Sequence, residues 1–519
     1  MEHPRWLLHV DLTTEPAYEK RWWALAVISL AILISTVDQT IVNVALPPIS
    51  QELNASTADL QWVGAAYGIM LAGLVLFANG VADRYGRKPV FLIGFAVFGI
   101  GSVLAASARS VLQLIAMRAL MGVGAALLFP PALSTLAVIF PPQERGKAIS
   151  IYAAFAGVGL ALGPILGGLL LDRFSWRSVF LVNVPVTIAG IVAGLLVVPN
   201  STKPGTPSLD RVGALLSVAG LGTLLYGIIE GPNAGWQSPV IIAALVVGLA
   251  LSAALVLWEL QSKTPMFDVR VFRYGGVIAG SLVLFLLYVT FTGIMFLIPQ
   301  YLQFVLGESP LVAGLALLPL GGVFALIAPF ASVFERRFGI RRVLVFGLSC
   351  MAAGLIVLSV IDEVSGYLFV LVGCLVYVAG WAPSLGPATT AIMNAVPAAQ
   401  TGDAASVNQI TRQVGGAVGV AVLGTIFTSV YAMRLAGAIE TLPRASVKLA
   451  ESSIGGAAQV ADSLGSSARN ILLAAADKAF VYGVQVAFIV AAVLTAAGVA
   501  VVAMALREQT PRSTTSSSA

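Results

Sequence analysis

Fourteen separate stretches of this chain are apolar for long enough to cross a bilayer, and nothing else in it limits the fold so tightly. A helix of about 20 residues spans the roughly 30 Å of hydrocarbon. The stretches run at 23–46, 61–82, 89–107, 111–140, 147–171, 177–198, 211–229, 238–259, 275–305, 311–333, 343–361, 366–394, 410–433 and 479–506. Hydrocarbon offers no water to unpaired backbone groups, so apolar runs of this length are helices. Charged residues make up 10% of the chain, against about 25% in a typical soluble protein. The expectation is an all-α integral membrane protein.

The same pattern excludes several function classes. The net charge of +5 is spread over short connections between apolar runs rather than gathered on one basic face, which argues against nucleic acid as a partner. Cys350 and Cys374 lie in successive apolar runs and read as packing residues. His3 and His9 both precede the first run, so no histidine relay crosses the membrane. No G-x-x-x-x-G-K-[ST] occurs, which argues against ATP hydrolysis. No Ser-His-Asp or metal-ligand grouping appears either. The reading is a non-enzyme with no cofactor and no metal.

Basic residues set the orientation. With the N-terminus in the cytoplasm, twenty Lys and Arg fall in inner connections and eight in outer ones, and Arg118 is the one basic residue counted as embedded. That bias places both termini inside. The one long connection, about 434–478, then lies outside, with apolar patches such as Ala457–Leu464 that suit a short surface helix. The Ser/Thr-rich stretch 507–519 reads as a disordered tail.

One carboxylate interrupts this pattern. Asp38 is the single acidic residue well inside an apolar run. On insertion scales an aspartate at the centre of a spanning helix costs about 2.5–3.5 kcal/mol. Such residues face the bundle interior and mark ion or proton pathways. Arg118 needs a partner for the same reason, and either Asp38 or polar groups of the first span would serve.

The chain also repeats itself. Arg84–Gly94 (R-Y-G-R-K-P-V-F-L-I-G) aligns with Arg337–Gly347 (R-F-G-I-R-R-V-L-V-F-G) at an offset of 253. Pro131, Pro141, Gly146, Ala148 and Ser150 align with Pro387, Pro397, Gly402, Ala404 and Ser406 at an offset of 256. Spans 2–5 therefore correspond to spans 10–13 in the same orientation, which implies a pseudo-two-fold axis along the membrane normal. The division that follows is residues 1–198 as an N-terminal six-helix half and 199–274 as an inserted pair of spans with linkers. Residues 275–506 form the C-terminal six-helix half. Two halves rocking about a central site is the geometry of an alternating-access transporter.

Two short patterns carry further chemistry. The connection Gly80–Lys88 (G-V-A-D-R-Y-G-R-K) combines Gly80 and Gly86, which permit a tight turn, with Asp83, which can pair with Arg87 or cap the next helix. Arg84 and Lys88 can reach a helix C-terminus. In span 5, Gly157, Gly159, Gly163, Gly167 and Gly168 leave helix surface bare for close approach, and Pro164 removes a ladder hydrogen bond.

The Gly80–Lys88 loop resembles the signature of the major facilitator superfamily. Asp38–Pro47 (D-Q-T-I-V-N-V-A-L-P) resembles the first-helix motif of its fourteen-helix drug:proton antiporters, the EmrB/QacA-like family. Trp176–Pro185, Leu209–Gly213 and Asn408–Gly416 are similar to other family segments, and Gly157–Gly168 resembles its antiporter motif. Arg118–Gly124 resembles a family motif with a buried arginine, but Met121 stands where a glutamine is common. The resemblance covers the chain apart from the long outer connection and the tail.

It implies the major facilitator fold with 14 transmembrane helices. It also implies a proton-coupled exporter of amphiphilic small molecules, cations foremost, in a bacterial inner membrane. Asp38 would couple protons, Arg118 would be its charged neighbour, and the Gly80–Lys88 loop and the span 5 glycines would gate. Spans 1, 4, 9 and 12 would line the cavity, with Asn43, Phe129, Tyr288, Phe291 and Trp381 as candidates. The partners would be the lipid bilayer, protons and the substrate, with a monomer sufficient for function. The alternatives are a dedicated exporter of one antibiotic or metabolite, a proton-coupled importer, and a non-transporting membrane sensor.

Overall fold

A computed structural model describes residues 20–201, 209–262, 265–363, 365–397, 400–440 and 442–505. Arg5, Lys203, Lys263 and the tail 507–519 lie outside the described residues. Among the described residues the fold is all-helical, with fourteen helices long and apolar enough to cross a membrane, one for each predicted run. Spans 1 to 6 are Arg21–Leu53, Thr57–Tyr85, Arg87–Ala106, Val111–Phe129, Ala154–Arg173 and Ser178–Val197. Spans 7 and 8 are Arg211–Ala234 and Pro239–Gln261. Spans 9 to 14 are Gly275–Val305, Pro310–Phe338, Ile340–Leu358, Tyr367–Asn394, Thr401–Ile439 and Ser466–Met504. Inner and outer are used below in the sense given by the bias of Lys and Arg.

Local signals start and stop these helices. Ser56 opens span 2 with a capping box: its Oγ accepts from the Asp59 N–H, and Asp59 accepts from the Ser56 N–H. Span 2 ends and span 3 begins at Gly86, whose φ of +107° a side chain would resist. In the second half, Gly339 (φ +81°) does the same between spans 10 and 11, at the repeat offset of 253. The repeat extends to packing. A Cβ on Gly94 would lie 3.1 Å from the Gly124 carbonyl oxygen, and one on Gly347 would lie 2.7 Å from the Gly380 carbonyl oxygen.

The halves meet on their outer portions. Span 2 touches span 13, where Gln61 Nε2 donates to Thr428 Oγ1 at 3.3 Å. Span 9 touches span 1 through Gln303 Nε2, which donates to the Val44 carbonyl at 3.0 Å. Span 5 touches span 10, where a Cβ on Gly168 would lie 2.7 Å from Leu311 Cα. Span 7 packs against spans 2 and 13 together through Ile69, Leu225, Ile229, Ala417 and Ala421. At its outer end Glu230 accepts from Trp62 Nε1 at 2.9 Å, and the Ile228 carbonyl accepts from Thr425 Oγ1 at 2.9 Å. Span 7 is therefore tied to span 2 and to span 13.

The structure changes two boundaries. The outer connection 434–478 is mostly helix: span 13 continues to Ile439, span 14 begins at Ser466, and helices Arg444–Ser452 and Ile454–Asp462 lie between. Hydropathy ended the spans at Arg434 and Lys478, but a helix continues beyond the hydrocarbon wherever its backbone pairs with itself. Ile454–Asp462 is no free surface helix. Ile454, Ala457, Val460 and Ala461 are buried, and Gln459 Nε2 donates to the Gln51 carbonyl at the outer end of span 1. The second change is at Arg412, counted as an inner connection in the sequence. It lies about three turns inside span 13, which begins at Thr401. Its Nε reaches the Tyr288 hydroxyl near the middle of span 9, so Arg118 is not the only basic side chain bonded within the helical bundle.

Candidate functional site

Asp38 occupies the middle of span 1 and is 0% exposed. Its two hydrogen-bond donors come from two other helices of the same half. Arg118 Nη1 of span 4 donates to Asp38 Oδ2 at 2.5 Å, and Asn183 Nδ2 of span 6 donates to Oδ1 at 3.1 Å. Asn183 also donates to Ser102 Oγ of span 3 at 3.3 Å. Arg118 is 2% exposed, sends Nε to the Val63 carbonyl of span 2 at 3.0 Å, and stacks 4.6 Å from the Tyr67 ring centroid. The Met121 sulfur, where the family pattern has an amide, stands 3.9 Å from Arg118 Nη1.

Both oxygens of the carboxylate are satisfied, and the arginine has three kinds of partner. That is the condition under which a buried ion pair is tolerated, because removing two ions from water costs several kcal/mol each. The site is sealed inside the N-terminal half rather than open to a cleft. The next residue, Gln39, is exposed, and Asn43 donates from Nδ2 to the Gln39 carbonyl. Gln39 and Asn43 share a face of span 1 that Asp38 does not.

The aromatic candidates gather in the C-terminal half. The Phe291 ring stacks on Trp381 at 4.7 Å and 15°, and Tyr288 meets Trp381 edge-on at 6.3 Å. Trp381 Nε1 donates to the Leu287 carbonyl at 3.2 Å, which fixes the indole. Phe324 of span 10 joins them 4.9 Å from Trp381, and Arg412 Nε donates to the Tyr288 hydroxyl at 2.7 Å. Neither Phe324 nor Arg412 was among the candidates. Phe129 is half-buried within the apolar core and stands apart from this group.

Span 5 presents two bare faces. Gly159, Gly163 and Gly167 lie against Thr36, Thr40 and Ile41 of span 1, and Gly157 and Gly168 lie against Phe324 and Leu311 of span 10. The Pro164 carbonyl meets Gly314 of span 10. One helix thus touches both its own half and the opposite one at backbone distance. The Gly80–Lys88 loop is tied to span 6. Arg87 pairs with Asp83 at 3.0 Å, Lys88 Nζ donates to the Leu195 carbonyl at 2.8 Å, and the Arg87 N–H donates to the Ser201 carbonyl at 3.0 Å. Gly80 sits against Leu209 at the entry to span 7, while Arg84 is exposed and stands over the Tyr85 ring. At the inner end of span 1, the Arg21 side chain bonds the Glu144 carboxylate, which precedes span 5, at 2.9 Å and holds that carboxyl below the usual glutamate range.

Comparison with known proteins identifies the family and the fold. Residues 28–420 match the model of the Major Facilitator Superfamily. The chain is 36% identical to the multidrug efflux pump LfrA of Mycolicibacterium smegmatis over 94% of its own length and 97% of that protein. It is 35% identical to the tetracenomycin C resistance and export protein of Streptomyces glaucescens, covering 79% of this chain and 76% of that one. Among solved structures, a bacterial homologue of the human lysosomal transporter Spinster superposes with a TM-score of 0.63 at 17% identity, over 93% of this chain and 96% of that chain.

Proposed function

The chain belongs to the Major Facilitator Superfamily, and from that premise we propose that it is a proton-coupled exporter of amphiphilic small molecules. Relatives named for multidrug efflux and antibiotic resistance, 35–36% identical over the aligned residues, support export. They also support the bacterial inner membrane as the location, and the bias of Lys and Arg supports both termini in the cytoplasm. A monomer suffices and no cofactor is needed, since the proton gradient supplies the work.

The observation that carries the coupling is Asp38, a fully buried carboxylate held by Arg118 and Asn183. A proton on Asp38 removes the negative partner of Arg118, so the network around it rearranges. Span 1 carries Asp38 and lies on the glycine face of span 5, whose other face lies on span 10. A shift of span 1 is therefore transmitted across the seam between the halves. In this conformation drug and proton do not meet at one atom, because the carboxylate is sealed within its half. They compete for the conformation rather than for Asp38 directly.

The drug is held by Phe291, Trp381, Tyr288 and Phe324, whose faces suit flat apolar bodies and cations. Asn43 adds a polar group on the span 1 side. The test is transport in proteoliposomes of purified protein under an imposed pH gradient. Asp38→Asn is expected to abolish uphill movement of a cationic dye. A variant that still concentrates the dye with the gradient would refute the coupling assignment. A panel of unrelated drugs separates a multidrug pump from a dedicated exporter.

A further inference from the structure

Span 7 lies against span 2 from its inner end to its outer end. The two helices are antiparallel, and their contacts keep one register. At the inner end a Cβ on Gly80 would lie 3.1 Å from Leu209 Cδ2, just before span 7 begins. At mid-depth a Cβ on Gly73 would lie 3.1 Å from both the N and the Cα of Val218, so the two backbones meet. Further out, a Cβ on Gly222 would lie 3.8 Å from Ile69 Cγ2, and the Trp62 and Tyr226 rings stand 6.2 Å apart. At the outer end Trp62 Nε1 donates to the Glu230 carboxylate at 2.9 Å. Span 8 joins span 7 in the same way, since a Cβ on Gly248 would lie 2.6 Å from the Leu224 N. Small residues that let backbones meet are what pack membrane helices closely.

Span 7 meets the opposite half through side chains and one carbonyl. Leu225 and Ile229 cluster with Ala417 and Ala421 of span 13, and the Ile228 carbonyl accepts from Thr425 Oγ1 at 2.9 Å. That hydroxyl is one corner of a small buried network. It also stands 3.4 Å from Gln61 Oε1 of span 2, while Gln61 Nε2 donates to Thr428 Oγ1 at 3.3 Å. Thr428 sends its own proton to the Gly424 carbonyl. Gln61 is fully buried, and a Cβ on Gly424 would lie 2.8 Å from its Cδ. All these bonds are neutral, so water replaces each of them readily when the surfaces part.

We propose that spans 7 and 8 travel with the N-terminal half, and that Gln61, Thr425 and Thr428 form the latch that closes the outer side of the pathway. The separating surface then runs between span 7 and span 13, not between span 7 and span 2. Outward opening breaks the Gln61–Thr428 and Thr425–Ile228 bonds together and leaves the Trp62–Glu230 bond intact. Spans 1 to 8 turn as one body against spans 9 to 14. Gln61 is a positioning residue in this scheme: it sets how readily the outer side opens and acts on the conformation rather than on the drug. The assignment rests on the alternating-access export reading and adds to it which helices move together.

The test uses the full chain in proteoliposomes, with Cys350→Ala and Cys374→Ala as the background. Cysteine pairs are then introduced one pair at a time. Gly73→Cys with Val218→Cys joins spans 2 and 7, and Ile228→Cys with Thr425→Cys joins spans 7 and 13. Each pair is oxidised with copper phenanthroline, the bond is quantified by mass spectrometry, and gradient-driven ethidium transport is measured before and after reduction. The span 2–7 bond should leave the rate within about twofold, and the span 7–13 bond should cut it about tenfold and reversibly. A span 2–7 bond that stops transport, or a span 7–13 bond that leaves it running, overturns the assignment of span 7. A pair that does not cross-link overturns it equally, since the helices would then not lie as the assignment requires. The latch has its own readout at Val420, which faces Gly64 of span 2 across the seam. Gln61→Ala should speed labelling of Val420→Cys by a membrane-impermeant maleimide from outside about fivefold, and unchanged labelling overturns the latch. Failure of the export reading is separate: wild type would never move ethidium against its gradient, while cross-linking and labelling would still report which helices part.

Discussion

Where span 1 crosses span 4, the N-terminal half buries Asp38 against Arg118. Where span 9 crosses span 12, the C-terminal half buries Thr290 against Tyr377, with 2.8 Å between their oxygens. The repeat relates the two crossings to within about two helical turns. One is an ion pair braced by Asn183, Ser102, Val63 and Tyr67, and the other is a neutral pair that shares the Leu286 and Leu287 carbonyls. The packing solution was kept in both halves while the chemistry was divided. In the proposed mechanism the charged pair is the one that responds to the gradient. A hydroxyl pair only holds helices together, beside the proposed Trp381 binding wall.

The largest effect that distinguishes the crossings should come from stability. Arg118→Ala strands the buried carboxylate and should cost about 3–5 kcal/mol. Tyr377→Phe removes one neutral hydrogen bond and should cost about 1 kcal/mol. Thermal unfolding in detergent measures both, and equal losses would erase the distinction. Replacing the pair together, as Asp38→Leu with Arg118→Met, should recover most of the stability, since apolar substitutes for a buried ion pair are often neutral. That double variant should still fail to couple transport to the gradient. Recovered coupling would place the proton elsewhere.

A smaller effect is expected at the seam. Gly168 and Gly424 stand at equivalent places in spans 5 and 13. A Cβ on Gly168 meets the Leu311 backbone at 2.7 Å, and one on Gly424 meets the Gln61 side chain at 2.8 Å. Backbone cannot yield as a side chain can, and overpacking costs about 1–3 kcal/mol. Gly168→Ala should therefore slow transport about tenfold, and Gly424→Ala by no more than about threefold, since 1.4 kcal/mol corresponds to a factor of about ten. Initial rates of dye efflux from cells check this, and the reverse order would show that span 13 rather than span 5 sets the seam.

The smallest effect concerns the inner surface. Arg21 depresses the Glu144 carboxyl, so the pair contributes above the ordinary glutamate value of about 4.3 and fades as pH falls through the depressed value. Glu144→Gln should leave neutral-pH transport nearly intact and remove a shallow acid-side loss of stability. A melting temperature followed from pH 7 to 3 tests the sign, and a loss at alkaline pH would contradict it.

Much of this architecture was legible in the chain. Hydrophobic length gave every span, and the turn at Gly86 was written in the loop that carries it. Asp38 stood out because an acid in an apolar run is costly wherever it packs. Asn183 was harder: it lies within Trp176–Pro185, a stretch that stood out, but nothing in the stretch said which residue turned toward Asp38. Arg412 and Glu259 escaped because each sits near the polar end of its run. Glu259, at the inner end of span 8, is 3% exposed, and one of its oxygens accepts from the Met266 N–H. Apolar windows stop at such residues and read them as solvent.

The sequence by itself determined that this chain is a fourteen-helix membrane protein with a repeated half, a turn loop at Gly80–Lys88 and one expensive acid. Each of these is a local or periodic property, set by side-chain hydrophobicity and backbone freedom over a few residues. Only the tertiary structure decided that Asp38 turns inward to Arg118, 80 residues away, and to Asn183, 145 residues away, while Gln39 turns outward. A polar residue on a membrane helix can face lipid, a neighbouring helix or the cleft. Which of these it faces depends on how the helix is rotated against partners far away in the chain, and no local pattern records that rotation.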